Sequence, residues 1–226
     1  MGSLTQYQRN GQTVSAYLAT PQGTGLFPAV IVIQEWWGLN AHIKDVAERF
    51  AREGYVALAP DLYHGKVTAD PSEAGKLMGA LNRDEAIKDL IGGIQYLKGL
   101  KQVRADRIGA TGFCMGGSFA LLLPCRTKEI KAAAPYYGEV PDEATLPALA
   151  CPVLYIYGDA DFWITRDDVK RLEAALKKYG KPGEVKIYSG APHAFFNDSR
   201  KDVYRPKEAQ DAWRRTLDFF AKHLKQ

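Results

Sequence analysis

The sequence has little of what a secreted, disulfide-stapled or membrane-bound protein needs. Only three cysteines occur in 226 residues, Cys114, Cys125 and Cys151; an odd count in a chain this long argues against a disulfide framework and for a reducing compartment. No apolar run approaches the length of a membrane-spanning helix, and the opening MGSLTQYQRNGQ lacks the apolar centre of a signal peptide. The cytoplasm is the expected location, with no membrane as partner. Blocks of one charge are also missing: 30 Lys and Arg are interspersed with 26 Asp and Glu, for a net charge of +4. Nucleic-acid binding is not expected from such a pattern. Nor is there a repeat, a low-complexity tract or an interdomain linker, so residues 1–226 are expected to form one domain, as a monomer or small homo-oligomer.

What is present is an alternation of strand-like and helix-like segments. Gln6 to Thr20 alternates loosely around Asn10-Gly11, a strong hairpin signal, and should form two antiparallel strands at a sheet edge. Continuous apolar runs follow at Pro28–Glu35, Tyr55–Leu62, Ile130–Gly138, Pro152–Asp159 and Glu184–Ser189, the pattern of strands buried on both faces of a parallel sheet. Between them lie helices announced by caps. Asn40 precedes Ala41–Arg52, Asp70 a short helix beginning at Pro71, Asn82 a helix from Arg83 to Leu100, and Thr165 one ending near Gly180. The last begins near Pro206 and places Trp213, Leu217, Phe220 and Leu224 on one stripe. An α/β class with a doubly wound, mostly parallel sheet and helices on both faces is the expected fold. The polar stretch from Tyr63 to Arg83 is placed to lie over the carboxyl edge of that sheet, where ligands bind.

The chemistry gathers at Ile108–Leu123, IGATGFCMGGSFALLL. This is strand, tight glycine turn, then helix, the form of a nucleophile elbow with cysteine where serine is more familiar. Gly112 and Gly116 fit positions where a side chain would collide with the neighbouring strand or helix, or where glycine's backbone freedom is needed. Cys114 would open the following helix, whose dipole favours a thiolate. By itself the turn Gly112–Gly117, GFCMGG, also fits a buried core cysteine. A thiol nucleophile, however, needs a base and the base an acid, in the chain order nucleophile, acid, histidine. That order is met by Cys114, then Asp159 or Asp161 after one strand, then His193 after the last. Asp161 is preferred because it lies farther into its loop and can turn toward a histidine. Two backbone N–H groups would hold an oxyanion, those of Met115 after the nucleophile and Trp36 after the third strand. Trp36 and Trp37, at that strand's carboxyl edge, suit a substrate wall.

The motifs QEWWG, PDLY, GFCMGG, YYG, YGDAD and GAPHAF, in this order over nearly the full length, resemble the dienelactone hydrolase (carboxymethylenebutenolidase) family of α/β-hydrolases. The resemblance implies a Cys114–His193–Asp161 triad that opens a lactone or small ester without a cofactor or metal. It also implies that Glu35 restrains the resting thiol, which would protect it from oxidation. One departure stands out. The best-known members place an arginine four residues beyond the histidine to hold a substrate carboxylate, and here that residue is Asn197. With Trp37, Tyr136 and Tyr137 as the other expected contacts, neutral aryl esters or lactones should bind at least as well as carboxylated ones, unless Arg200 or Lys201 folds back. Broader carboxylesterase or thioesterase activity is the alternative within enzymes, and an idle small-ligand receptor the alternative outside them.

Overall fold

A computed structural model describes residues 2–226. Eight strands form one sheet, in the order β1 (Ser3–Arg9), β2 (Gln12–Ala19), β4 (Val56–Pro60), β3 (Phe27–Ile33), β5 (Val103–Phe113), β6 (Ile130–Tyr136), β7 (Val153–Ala160) and β8 (Gly183–Pro192). The hairpin β1 (Ser3–Arg9) and β2 (Gln12–Ala19) opens the chain, its register closed by Arg9 opposite Gln12. Asn10 and Gly11 both have positive φ, as a type I′ turn requires. β2 runs antiparallel to β4 (Val56–Pro60), and the remaining pairs are parallel, as the continuous apolar runs required.

Alternation within β3 (Phe27–Ile33) shows how the sheet divides the core. Ala29, Ile31 and Ile33 pack with α3 (Arg83–Lys98), α4 (Met115–Arg126) and α5 (Arg166–Lys178). Val30 and Val32 pack with α1 (Ala41–Arg52) and α6 (Pro206–Leu224) on the opposite face. At roughly 1.5–3 kcal/mol per fully buried aliphatic side chain, these two apolar layers are the main favourable term in folding. The expected caps are in place: Asn40, Asp70 and Asn82 each accept N–H bonds from their first helical turns, and Thr165 with Asp168 closes a capping box. The stripe on α6 is less deeply buried than its spacing implied; Phe220 and Leu224 are in the core, whereas Trp213 and Leu217 only pack against its edge.

Three features of this arrangement position the site. The chain leaves β3 for β4 on one side and then crosses to β5 (Val103–Phe113) on the other, which opens a crevice at the carboxyl ends of β3 and β5. Ile33 lies opposite Gly112 in the register, so Gln34–Trp36 run beside Phe113–Met115. Farther along, β7 (Val153–Ala160) and β8 (Gly183–Pro192) pair Ala160 with Pro192 after an irregularity at Gly158, setting Asp161 beside His193.

Candidate active site

Cys114 is the N-cap of α4 and takes φ 57° and ψ −121°, a conformation that side chains rarely adopt. The strain is held by close packing. A Cβ on Gly112 would overlap the carbonyl of Gly116, and one on Gly116 would overlap the carbonyls of Ile33 and Gln34. Both glycines are therefore explained by close approach, and the positive φ falls on the cysteine itself. Tyr137 and Ala194, the latter following His193, also have positive φ. Three of the five non-glycine residues with positive φ among the described residues thus belong to the site, the clustering expected of functional strain.

His193 Nδ1 and Asp161 Oδ2 are 2.7 Å apart. The other oxygen of Asp161 accepts N–H bonds from Trp163 at 2.7 Å and Ile164 at 3.0 Å, so the carboxylate is held by its own loop while it orients the imidazole. Asp159 is engaged otherwise, accepting the N–H of Gly190 at 2.6 Å. With Nδ1 occupied, Nε2 is the nitrogen left for a reacting group. The rings of Tyr137, Phe162 and Trp163 all meet the imidazole edge-on, at 5.0–5.4 Å.

Glu35 is buried, and burial raises its carboxyl to about 7, opposed by a hydrogen bond from Asn197 Nδ2 (2.7 Å) and by the Arg200 charge. Burial also pushes the Cys114 thiol well above its ordinary value, with the Glu35 charge adding to the shift and the N–H groups of Met115 and Trp36 opposing it. Among the described residues no hydrogen bond joins Cys114 to His193. Burial and the Glu35 charge both favour the neutral thiol, against the opposing N–H groups at the start of α4.

The pocket over Cys114 has a volume of about 180 Å³ and is mostly apolar; its walls include Glu35, Trp36, Trp37, Met78, Phe162 and Trp163. Met78 comes from α2 (Pro71–Ala80), so the polar excursion does reach over the site. Three expected substrate contacts lie elsewhere. Tyr136 is fully buried with its hydroxyl on Thr216 at 2.7 Å, because β6 (Ile130–Tyr136) turns that side chain toward α6. Tyr137 is fully buried behind His193, its hydroxyl without a partner among the described residues. Asn197 is buried against Glu35 rather than facing the pocket. Arg200, three residues on, does fold back to the pocket, its guanidinium 5.8 Å from the Trp37 ring centroid.

Met78, Phe162 and Trp163 were not picked out from the sequence. Phe162-Trp163 carried a usable signal, since two aromatics directly after a candidate catalytic Asp have little reason to sit in an ordinary surface loop. Met78 carried none. Among the described residues no three His, Cys, Asp or Glu side chains cluster as metal ligands, and no helix is long and apolar enough to cross a membrane.

A mixed eight-stranded sheet covered by helices on both faces, with a strained residue at the strand-to-helix elbow, defines an α/β-hydrolase fold. Comparison with known proteins narrows the class. Residues 14–224 match the model of the dienelactone hydrolase family, and the chain belongs to that family of hydrolases. It is 38% identical to protein usf of Aquifex pyrophilus, over 99% of this chain and all of the relative. It is 36% identical to a "Putative carboxymethylenebutenolidase" of Aquifex aeolicus over the full length of both. The crystal structure of a "Putative Dienelactone Hydrolase" from Klebsiella pneumoniae superposes with a TM-score of 0.92, at 31% identity and 99% coverage of each chain.

Proposed function

We propose that the protein hydrolyses a small carboxylic ester or lactone through an acyl-enzyme on Cys114, working as one α/β-hydrolase domain without a cofactor. The observation that carries this reading is the convergence, at one sheet edge, of a cysteine on a strained elbow and a histidine held by a buried aspartate. Substrate binding displaces the Glu35 carboxylate from the thiol, and the Cys114 proton passes to His193 Nε2. The sulfur attacks the carbonyl carbon as the C=O pair moves to oxygen, and the oxyanion is taken by the N–H groups of Met115 and Trp36. Collapse breaks the C–O bond while His193 gives its proton to the leaving oxygen. Water, deprotonated by His193, then cleaves the thioester and returns the thiol.

The charge that Glu35 places near the thiol then has a purpose. A permanent thiolate in an open pocket would oxidise, whereas a thiol beside a carboxylate ionises only when substrate arrives. The aromatic walls favour small planar substrates, and Arg200 gives the pocket a cation. Arg200, which also pairs with Asp202 at 2.5 Å, thus supplies the folded-back cation on which acceptance of a carboxylated lactone depends, given Asn197.

Para-nitrophenyl acetate tests the reading. Wild-type protein should release nitrophenol in a burst followed by steady turnover, and Cys114→Ala should show neither. If no acyl ester turns over while a lactone still raises the melting temperature, the chain is a receptor instead.

A further inference from the structure

Beyond Trp163 lie two further cavities. A small cavity of about 120 Å³, lined in part by Met115, Ser118 and Phe119, shares Met78 and Trp163 with the Cys114 pocket. It shares Arg83, Glu139 and Trp163 in turn with a larger polar cleft of about 450 Å³. Neighbouring cavities thus meet at shared side chains, and the three follow one another along α4 as the line of a groove. The pocket over Cys114 alone is smaller than the several hundred Å³ typical of ligand sites, whereas the groove as a whole falls within that range.

The charges in the cleft are unevenly used. Glu139 is paired with Arg83 at 2.9 Å. The Asp168 carboxylate accepts the Thr165 N–H at 3.0 Å and meets Arg171 at 3.1 Å, while Arg171 also donates to the carbonyls of Val140 and Pro141. Asp142 accepts the N–H of Thr145 at 2.8 Å. Every carboxylate lining the cleft is thus engaged. Arg126, at the far end of α4, is the one charged side chain there with neither an ion pair nor a hydrogen bond among the described residues. The cleft therefore offers an exposed guanidinium with no direct partner, its charge felt by Asp142.

Resting on the hydrolase reading above, we propose that this groove is an acyl subsite for substrates carrying a remote anionic group, which Arg126 binds. The leaving oxygen must face His193 to be protonated, so the groove that departs along Met115 and Ser118 takes the acyl side. Met115 and Arg126 are separated by roughly 17 Å of helix at 1.5 Å per residue. With the arginine reaching back, short acyl groups cannot span that gap and longer ones can.

The test uses para-nitrophenyl hemiesters of glutaric, suberic and dodecanedioic acids, each beside its neutral methyl diester. For the wild type, the kcat/KM ratio of charged to neutral substrate should rise from glutarate to the longer acids. Arg126→Glu should lower that ratio about fivefold for the longer acids, the size of an exposed ion pair at the upper end of its range. The change should appear in KM, with para-nitrophenyl acetate unaffected. A ratio independent of chain length, or one that Arg126→Glu leaves unchanged, overturns the subsite. Suberate titrated against the indole N–H resonance of Trp163 needs no turnover. A shift that weakens in Arg126→Glu supports the subsite even if acetate hydrolysis fails; no shift counts against it even if hydrolysis succeeds.

Discussion

The pocket over Cys114 and the cleft beyond Trp163 share a wall but are built on opposite principles. Around Cys114 the lining is aromatic, the carboxylate of Glu35 is buried and the backbone is strained. In the cleft, three arginines and three acids lie among loop carbonyls at the protein surface. Desolvation governs the first region, shifting pKa values and making each polar contact matter, whereas in the second, solvent screens each pair to a fraction of a kcal/mol or so. Reaction chemistry belongs in the first and selectivity in the second.

The sharpest way to break that contrast is to remove groups from the buried side. Cys114→Ala should lower kcat at least a thousandfold in a steady-state ester assay, since the acyl-enzyme route is lost, with the circular dichroism spectrum unchanged. Asp161→Asn should follow, lowering kcat by on the order of a hundred- to ten-thousandfold with little change in KM, because the amide favours the wrong imidazole tautomer. Turnover close to wild type in either variant would put the chemistry elsewhere.

Glu35 gives a thermodynamic version of the same test. Its folded carboxyl titrates near 7, above the ordinary value of 4.5, so the folded state binds more protons than the unfolded state between those limits. This contribution to stability is fully present below about pH 4.5 and is lost as pH rises through 7. Glu35→Gln, which keeps an acceptor for Asn197, should flatten that slope and be more stable than wild type at pH 8, by about 3 kcal/mol at most. Denaturant unfolding across pH 5–8 checks it. The same variant should alkylate faster with iodoacetamide at neutral pH, because a charge that disfavours the thiolate is gone. Smallest is the effect of Arg200→Gln, which should raise KM for a carboxylated lactone about threefold and leave a neutral aryl ester unchanged. Equal effects on both substrates would remove Arg200 from substrate binding.

The sequence was readable where structure follows local rules. Asn10-Gly11, the caps at Asn40, Asp70, Asn82 and Thr165, and the buried apolar runs each specify their element through backbone chemistry that neighbouring residues reveal. Cys114 and the Asp161–His193 pair were equally legible, since the elbow and the strand ends fix them by topology. Side-chain direction beyond the last strand residue was not. Tyr136 and Tyr137 are adjacent at such an edge, yet one points to α6 and the other packs behind His193, an outcome set by the register with β5 and β7. Asn197 was expected to touch substrate, and only the folded chain shows that its amide serves Glu35 while Arg200 turns into the pocket. The cleft at Arg126 draws on four separate segments and has no motif.

The central claim is that Cys114 becomes acylated. The direct measurement is mass spectrometry of protein quenched with acid within the burst of para-nitrophenyl acetate hydrolysis, followed by peptide mapping. One acetyl group on the peptide containing Cys114, absent from Cys114→Ala and accumulating in His193→Ala treated at high pH, is the predicted result. Acetyl on any other residue at burst stoichiometry, or an unmodified Cys114 during turnover, would contradict the account.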